Sequence, residues 1–356
     1  MSFQNEKPAI QDLRKVFYSI KFLFPNMIEW VSYSECRDSI YVGNDSGIMS
    51  ITEVDWRHRS ATSSDIILAV GAEANLKRVY SNEVEEFDAA GKGTRAAWIE
   101  EGKIVIFDLD RETVECIFDP HDDEERYAEV HMDPFGRSVL ALAEIDKEEE
   151  SFFLYEWRVV NIDQKEWRVL DKTQTTQPNA FLTWVPNGEE IIFYDEDDEI
   201  IFAMKKDGSQ KSRLSHISLP EISMVSLSYS RDGRSLALCY KDQNEQGHIF
   251  IGSGISSELR ELAPFQTLDI NPDFISWSPF GNWILFRDTH PSEPIMRLIT
   301  TDGKEIYSLF PVPEDDVEEP IVRWLSDEEH VFWFSEDTIH ITRIIDPRVM
   351  PRNVNK

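Results

Sequence analysis

A short pattern recurs along this chain and limits the folds that it can adopt. In its clearest copy, Phe274 to Phe286, two apolar segments flank a Ser-Pro-x-Gly turn. Aligned on the residue just before the turn, the copies lie 45–52 residues apart, a period typical of β-propeller blades. We therefore predict an all-β, seven-bladed β-propeller with four antiparallel strands per blade. The seven anchor residues are Tyr33, Tyr80, Met132, Trp184, Tyr229, Trp277 and Trp324.

The individual blades can be divided into strands a to d, from the axis outward. In the sixth, the pattern predicts strands at 274–278, 282–287, 294–300 and 305–310, with Asp302-Gly303 suited to a tight turn between c and d. The second copy is the poorest, because Tyr80 fits only with an insertion in its hinge. Most anchors are aromatic, which favours packing between twisted blades over a ring of ligand-stacking side chains.

The seventh copy supplies only three strands, at 320–325, 330–335 and 338–344. We predict that residues 15–23 pair antiparallel with 338–344 and complete the blade, because an unpaired outer strand is a liability. The alternative is a helix, since apolar residues between Ile10 and Phe24 recur at heptad spacing. The predicted organisation is an N-terminal tail (1–14), a single propeller domain (15–347) and a C-terminal tail (348–356).

Two motifs, the Trp-Ser-Pro-x-Gly of 277–281 with the following Ile-Leu-Phe, and the Met-Lys-Lys-Asp-Gly-Ser of 204–209, carry a family resemblance. They resemble the repeats of TolB-like propellers, a branch of the WD-repeat-like families. The resemblance implies the fold alone. TolB proteins are exported, have a separate N-terminal domain and have six blades, whereas this chain is expected to have neither signal nor that domain. The Trp-Asp dipeptides of typical WD repeats are also missing.

The composition limits the kinds of partner that this chain can bind. A formal net charge of −31 argues against nucleic acid, whose backbone requires basic side chains, and against anionic membrane surfaces. Three scattered cysteines are typical of a reducing compartment. The N-terminus lacks the pattern of a signal peptide, and no apolar run is long enough to cross a bilayer, so we expect a cytoplasmic protein.

The sequence contains no catalytic or metal-binding motif that identifies an active site. The Gly-x-Ser-x-Gly of serine hydrolases and the Asp-x-Asp-x-Asp-Gly order of calcium loops are both missing. No two of the eight histidines share a ligand-like spacing, so no catalytic residue and no cofactor are predicted. The weak metal candidates are His131, which lies on a predicted innermost strand, and Asp133, two residues further along the chain.

Acidic residues concentrate in the b–c and d–a loops, which share one face of a propeller. Nine such loops hold 29 acidic and 4 basic residues. The leading hypothesis is a non-enzymatic scaffold that presents this acidic face to a basic protein partner. The alternative is a metal-dependent enzyme or a small-ligand or glycan-binding propeller with its site at the axial channel. The acids could also serve only solubility. The predicted partner-binding residues are Asp122, Asp123, Glu124, Glu148, Glu149, Glu150, Asp195, Glu196, Asp197, Asp198, Glu199, Asp315 and Asp316.

Overall fold

The chain folds almost entirely into β-strands. The structure, a computed structural model, describes residues 10–12, 18–24, 28, 30–44, 47–52, 66–69, 77–81, 84–147, 152–173, 181–195, 200–213, 225–242, 244, 246–253, 259–262, 270–289, 295–311, 322–327, 329–335 and 338–344. These residues form thirty strands and no helix, so no described segment could cross a membrane as a helix.

The strands form seven sheets, each with an antiparallel set of four that runs outward from the axis. In six blades the four strands follow chain order, and in the seventh the outermost strand comes from the segment before blade 1. The predicted seven-bladed propeller is therefore confirmed. Blade 1 consists of β3 (Trp30–Ser34), β4 (Ser39–Asn44), β5 (Gly47–Thr52) and β7 (Lys77–Tyr80). Blade 2 consists of β8 (Glu86–Ala89), β9 (Arg95–Glu100), β10 (Lys103–Asp108) and β11 (Thr113–Phe118). Blade 3 consists of β12 (Glu125–Met132), β13 (Ser138–Lys147), β14 (Phe152–Asn161) and β15 (Glu166–Thr173). Blades 4 and 5 consist of β16 (Phe181–Trp184), β17 (Glu190–Asp195), β18 (Ile200–Lys205) and β19 (Ser212–Arg213); and β20 (Val225–Tyr229), β21 (Ser235–Lys241), β22 (Gly247–Ser253) and β23 (Arg260–Glu261). Blades 6 and 7 consist of β24 (Ile270–Trp277), β25 (Trp283–Asp288), β26 (Ile295–Thr300) and β27 (Ile306–Pro311); and β28 (Arg323–Trp324), β29 (His330–Ser335), β30 (Thr338–Arg343) and β2 (Tyr18–Leu23).

The ring closes as predicted. Strand β2 pairs antiparallel with β30 over six residue pairs, from Tyr18 opposite Arg343 to Leu23 opposite Thr338. The helical alternative for this segment is therefore wrong. Two further strands were not foreseen: β6 (Ile66–Ala69) pairs in parallel with β2, and β1 (Ile10–Asp12), from the predicted N-terminal tail, pairs in parallel with β27. Both add a fifth strand to the outer edge of a blade.

One anchor was wrong. Tyr80 lies on β7, the outermost strand of blade 1. The matching residue in blade 2 is Ala89, which pairs with Ala96 seven residues on, just as Trp277 pairs with Ile284. Blade 2 needs no large anchor because Trp98, fully buried on the second strand, fills that space and contacts the Tyr80 ring at 4.7 Å between centroids.

The core is divided among the interfaces between blades. Seven clusters of buried apolar residues lie one at each interface. Trp277, for example, packs from blade 6 against Ala237 and Cys239 of blade 5. The anchors therefore act in packing, and the rigid ring that they stabilise fixes the seven innermost strands around the axis.

Candidate functional site at the axial channel

A ring of seven polar side chains surrounds the axial channel. Each belongs to the residue immediately before an anchor, and since all the inner strands run in the same register, all seven lie at one level. They line a cavity of about 540 Å³ that extends from the a–b turns into the channel. We call them the channel ring: Ser32, Asp88, His131, Thr183, Ser228, Ser276 and Arg323.

Part of the channel ring holds neighbouring blades together. The Ser32 hydroxyl donates to Oδ1 of Asp88 (3.0 Å) and accepts the N–H of Ala89 (3.1 Å). Oδ2 of Asp88 accepts the N–H of Met132 (2.8 Å). Ser228 likewise accepts the N–H of Trp277 at 3.2 Å. These contacts each join a blade to the next, so Ser32, Asp88 and Ser228 have a structural role whatever else they do.

His131 lies in the channel among carboxylates. Its side chain is 42% exposed, and its Nε2 is 3.7 Å from Oε2 of Glu129, an ion-pair distance. Burial at the centre of the ring would lower its pKa, but the interaction with Glu129 and the charges of Asp88 and Glu86 outweigh burial and raise the pKa above its ordinary value. His131 is therefore biased toward the protonated form, which can donate a proton.

Two of these carboxylates are biased toward the neutral form. Burial raises the pKa of Asp88, although His131, the Met132 N–H, Ser32 and Arg323 oppose the rise. Burial also raises the pKa of Glu86, helped by the charge of Glu129. Groups in which burial and a charged neighbour shift the pKa are common in functional sites.

Arg323 is the unusual member of the channel ring. It is exposed to the channel although protein surrounds it. Among the described residues it has no hydrogen-bond or ion-pair partner, and Asp88 influences it only at longer range. Burial lowers its pKa, and Asp88 partly offsets this. A guanidinium with five donors and no acceptor in contact is available to an anionic ligand.

The two weak metal candidates do not act together. Asp133 is buried and organises the a–b turn of blade 3, where its carboxylate accepts the N–H of Phe135 (2.8 Å), Arg137 (2.7 Å) and Ser138. It is not part of the cavity lining, whereas His131 is. The described residues contain no group of three or more His, Cys, Asp or Glu placed to hold a metal ion.

Most of the predicted partner-binding residues lie outside the described residues: Glu148, Glu149, Glu150, Glu196, Asp197, Asp198, Glu199, Asp315 and Asp316. Asp122, Asp123 and Glu124 lie in the exposed loop before β12, and Asp195 ends β17. The Glu124 carbonyl accepts the N–H of Asp146, which places this d–a loop beside the b–c end of β13. The cavity opens among the a–b turns, on the opposite face.

Comparison with known proteins supports the fold. No protein-family model and no curated protein sequence matches the chain. Similar solved structures include the oligogalacturonate lyase of Vibrio parahaemolyticus (10% identity, TM-score 0.64, 92% of each chain covered). They also include an oligogalacturonate lyase in complex with manganese (9% identity, TM-score 0.62, 92% of this chain and 91% of that one). A third is Hsv2 of Kluyveromyces marxianus (11% identity, TM-score 0.58, 91% and 94%).

The chain is thus a β-propeller of the kind found in these proteins, and at such low identity the likeness carries the fold alone. It nevertheless corrects our leading hypothesis. A non-enzymatic scaffold is the wrong interpretation, because two of the similar structures over nine-tenths of the chain are lyases. The finding favours the alternative, a site at the axial channel. Manganese is present in one of these structures, and the described residues of this chain contain no matching group of ligands.

Sequence reasoning missed Glu86, Asp88 and Arg323. A usable signal was present, because every residue one position before an anchor is polar once Ala89 replaces Tyr80. With Tyr80 as the anchor, blade 2 contributed Val79 to that set, and the polar ring was broken.

Proposed function

We propose that this protein binds a small acidic carbohydrate in the axial channel, with Arg323 as the residue that pairs with a sugar carboxylate. The observation that carries the proposal is the Arg323 guanidinium, which faces the cavity with no described partner. A guanidinium that faces the channel with protein around it and no described partner can bind a carboxylate by bidentate hydrogen bonding.

The charge of the cavity fits an anionic ligand. The charged residues that line it are three acids, three bases and one histidine, so the wall is close to neutral. The chain as a whole has a formal charge of −31. Acids therefore accumulate away from the cavity, where they would otherwise repel an anionic sugar. The likeness to structures named oligogalacturonate lyase supports a uronate as the ligand class.

A second candidate function, elimination of a uronate glycoside, is favoured by the surroundings of His131. In such an elimination a base removes the C5 proton, the C4–O bond breaks, a C4=C5 double bond forms and an acid protonates the leaving oxygen. Protonated His131, with its raised pKa, supplies an acid. Glu129, whose Oε2 lies 3.7 Å from Nε2 of His131, supplies a base, and Arg323 would stabilise the charge that develops on the carboxylate. The products absorb ultraviolet light, which gives a direct assay.

We also propose that the repeat is related to those of TolB-like propellers, on the strength of the Trp-Ser-Pro-Phe-Gly sequence at 277–281.

The experiment is calorimetric titration of galacturonate trimers into the wild type, Arg323→Gln and Arg343→Gln. Arg343 is a matched control, because it belongs to the same blade but pairs with Glu329 (2.8 Å) on the outside. Loss of a charged hydrogen-bond partner removes about 1.5–3 kcal/mol, which is about a 10- to 160-fold weaker Kd. We expect that loss for Arg323→Gln and no change for Arg343→Gln. Equal affinity of all three proteins, or equal binding of neutral galactose trimers, contradicts the proposal.

A further inference from the structure

An ion pair crosses the mouth of the channel. Nε of Arg231 lies 2.9 Å from Oε2 of Glu35, which makes the contact an ion pair. Glu35 belongs to the a–b turn of blade 1 and Arg231 to that of blade 5. These blades are not neighbours in the ring, so the pair spans the opening. Both residues line the cavity.

A second contact reinforces this arrangement. Nζ of Lys92, in the a–b turn of blade 2, donates to the backbone carbonyl of Arg231 at 3.2 Å. The Glu35 side chain passes close to Gly91 in that same turn, since a Cβ added there would lie 3.9 Å from its Cγ. Three turns from opposite sides therefore meet over the cavity, and two of them contribute cations.

The contacts at the mouth are weak enough for a ligand to replace them. The side chains of Arg231 and Glu35 are 38% and 29% exposed, and ion pairs at such exposure hold their partners weakly. Lys92 donates to a neutral carbonyl, and no carboxylate is paired with its ammonium among the described residues. Elsewhere on this face, Arg137 and Glu189 (3.1 Å) join the adjacent blades 3 and 4 and do not line the cavity.

We infer that the mouth is an outer anion-binding subsite at which Glu35 stands in for the ligand. A carboxylate of the acidic sugar displaces Glu35 from Arg231 and also forms an ion pair with the ammonium of Lys92. The same exchange opens the mouth, and the sugar's next carboxylate then reaches Arg323. Glu35 thereby excludes ligands that carry no anion to compete with it. This subsite rests on the proposed function for its sugar, but the exchange itself can be tested without one.

The first test measures sugar affinity by calorimetry with galacturonate trimers. In Glu35→Gln the internal competitor is gone, and we expect affinity to rise by up to about five-fold, the upper strength of an exposed ion pair. Arg231→Gln is expected to bind more weakly than the wild type. Glu189→Gln, the same substitution on the same face away from the mouth, is the matched control and should not change affinity.

The second test needs no sugar. Thr183, a half-buried residue of the channel ring, is replaced by Cys in a Cys36→Ser background, since Cys36 is the exposed thiol. Its alkylation is followed with iodoacetate, which is anionic, and with iodoacetamide, which is neutral and of nearly the same size. Glu35→Gln is expected to raise the iodoacetate rate relative to iodoacetamide by about two- to five-fold, and Arg231→Gln to lower that ratio. Ser276→Cys replaces Thr183→Cys if the latter does not fold.

The outcomes separate the two proposals. If the ratio shifts as expected but no variant binds galacturonate trimers, the sugar is wrong and the anion subsite stands. If trimers bind through Arg323 but Glu35→Gln changes neither the affinity nor the alkylation ratio, the subsite is wrong and the channel site stands. A thiol that stays unreactive in every variant means that the mouth does not open, and overturns the exchange.

Discussion

Replacing Arg158 should destabilise blade 3 more than any surface change. The Arg158 guanidinium is buried and holds two buried carboxylates. Its Nη atoms bond both oxygens of Glu125, one at 2.9 Å, and Nη2 lies 3.0 Å from Oε2 of Glu156. The side chains of these three residues are at most 7% exposed. Burial would lower the pKa of Arg158, but the two carboxylates outweigh it and raise the pKa, so the residue stays charged.

The magnitude follows from what Arg158→Met leaves behind. Breaking a buried ion pair strands an uncompensated charge and costs about 3–5 kcal/mol. Loss of the guanidinium from the face of Trp167, at 4.3 Å from the ring centroid, adds about 0.5–1 kcal/mol. The total, about 4–6 kcal/mol, is a large part of the stability of a typical domain, about 5–15 kcal/mol.

Urea unfolding followed by tryptophan fluorescence measures this loss. Arg126→Met is the matched control, because Arg126 pairs with Glu144 at 2.9 Å in the same blade but is 66% exposed; its loss should cost about 0–1 kcal/mol. Adding Glu125→Gln and Glu156→Gln to Arg158→Met removes the stranded charges and should restore much of the stability. If Arg158→Met is no less stable than Arg126→Met, the reasoning about stranded charge is refuted.

Three further predictions concern closure, titration and backbone geometry. Deleting residues 1–24 removes the six-residue pairing of β2 with β30, roughly six ladder hydrogen bonds, and should cost about 3–9 kcal/mol; an unchanged melting temperature would rule out this closure. His131 should titrate above its ordinary pKa of 6.5 in nitrogen-15 NMR. Because its folded pKa is raised, its contribution to stability is present below about pH 6.5 and is lost as pH rises through the folded pKa. His131→Asn should remove that pH dependence, and a titration midpoint at or below about 6.5 contradicts the account. Gly47→Ala should destabilise more than Gly281→Ala, since both have positive φ but only at Gly47 would the new Cβ lie 2.3 Å from a backbone oxygen, that of Tyr80; equal losses in thermal melts would show that this contact is not limiting.

The fold was predictable because it repeats. Strands of blade 6, predicted at 282–287 and 294–300, lie at Trp283–Asp288 and Ile295–Thr300. Each hairpin has its own turn residues, so the sequence pattern of strands and turns repeats once in every blade. Closure by β2 followed from one physical rule about open edges. Strands β1 and β6 could not be foreseen, because a short strand that pairs in parallel across the surface leaves no periodic signal in sequence.

The site was harder to predict because residues from several blades form it together. His131 was noticed as a polar residue on an inner strand, but its carboxylate neighbours belong partly to blade 2 and Arg323 to blade 7. Only the ring brings them together, and the misplaced Tyr80 anchor hid Asp88. The acidic loops drew attention because they are contiguous in sequence, whereas the cavity is assembled from single residues about one blade apart.

The central claim is that an acidic sugar binds in the channel through Arg323. Its most direct test is a crystal structure of the protein with a galacturonate trimer. We predict sugar density in the cavity, with a carboxylate paired to the Arg323 guanidinium at about 2.7–2.9 Å. Density on the opposite, acid-rich face, or an empty channel in which Arg323 contacts only protein, would contradict it.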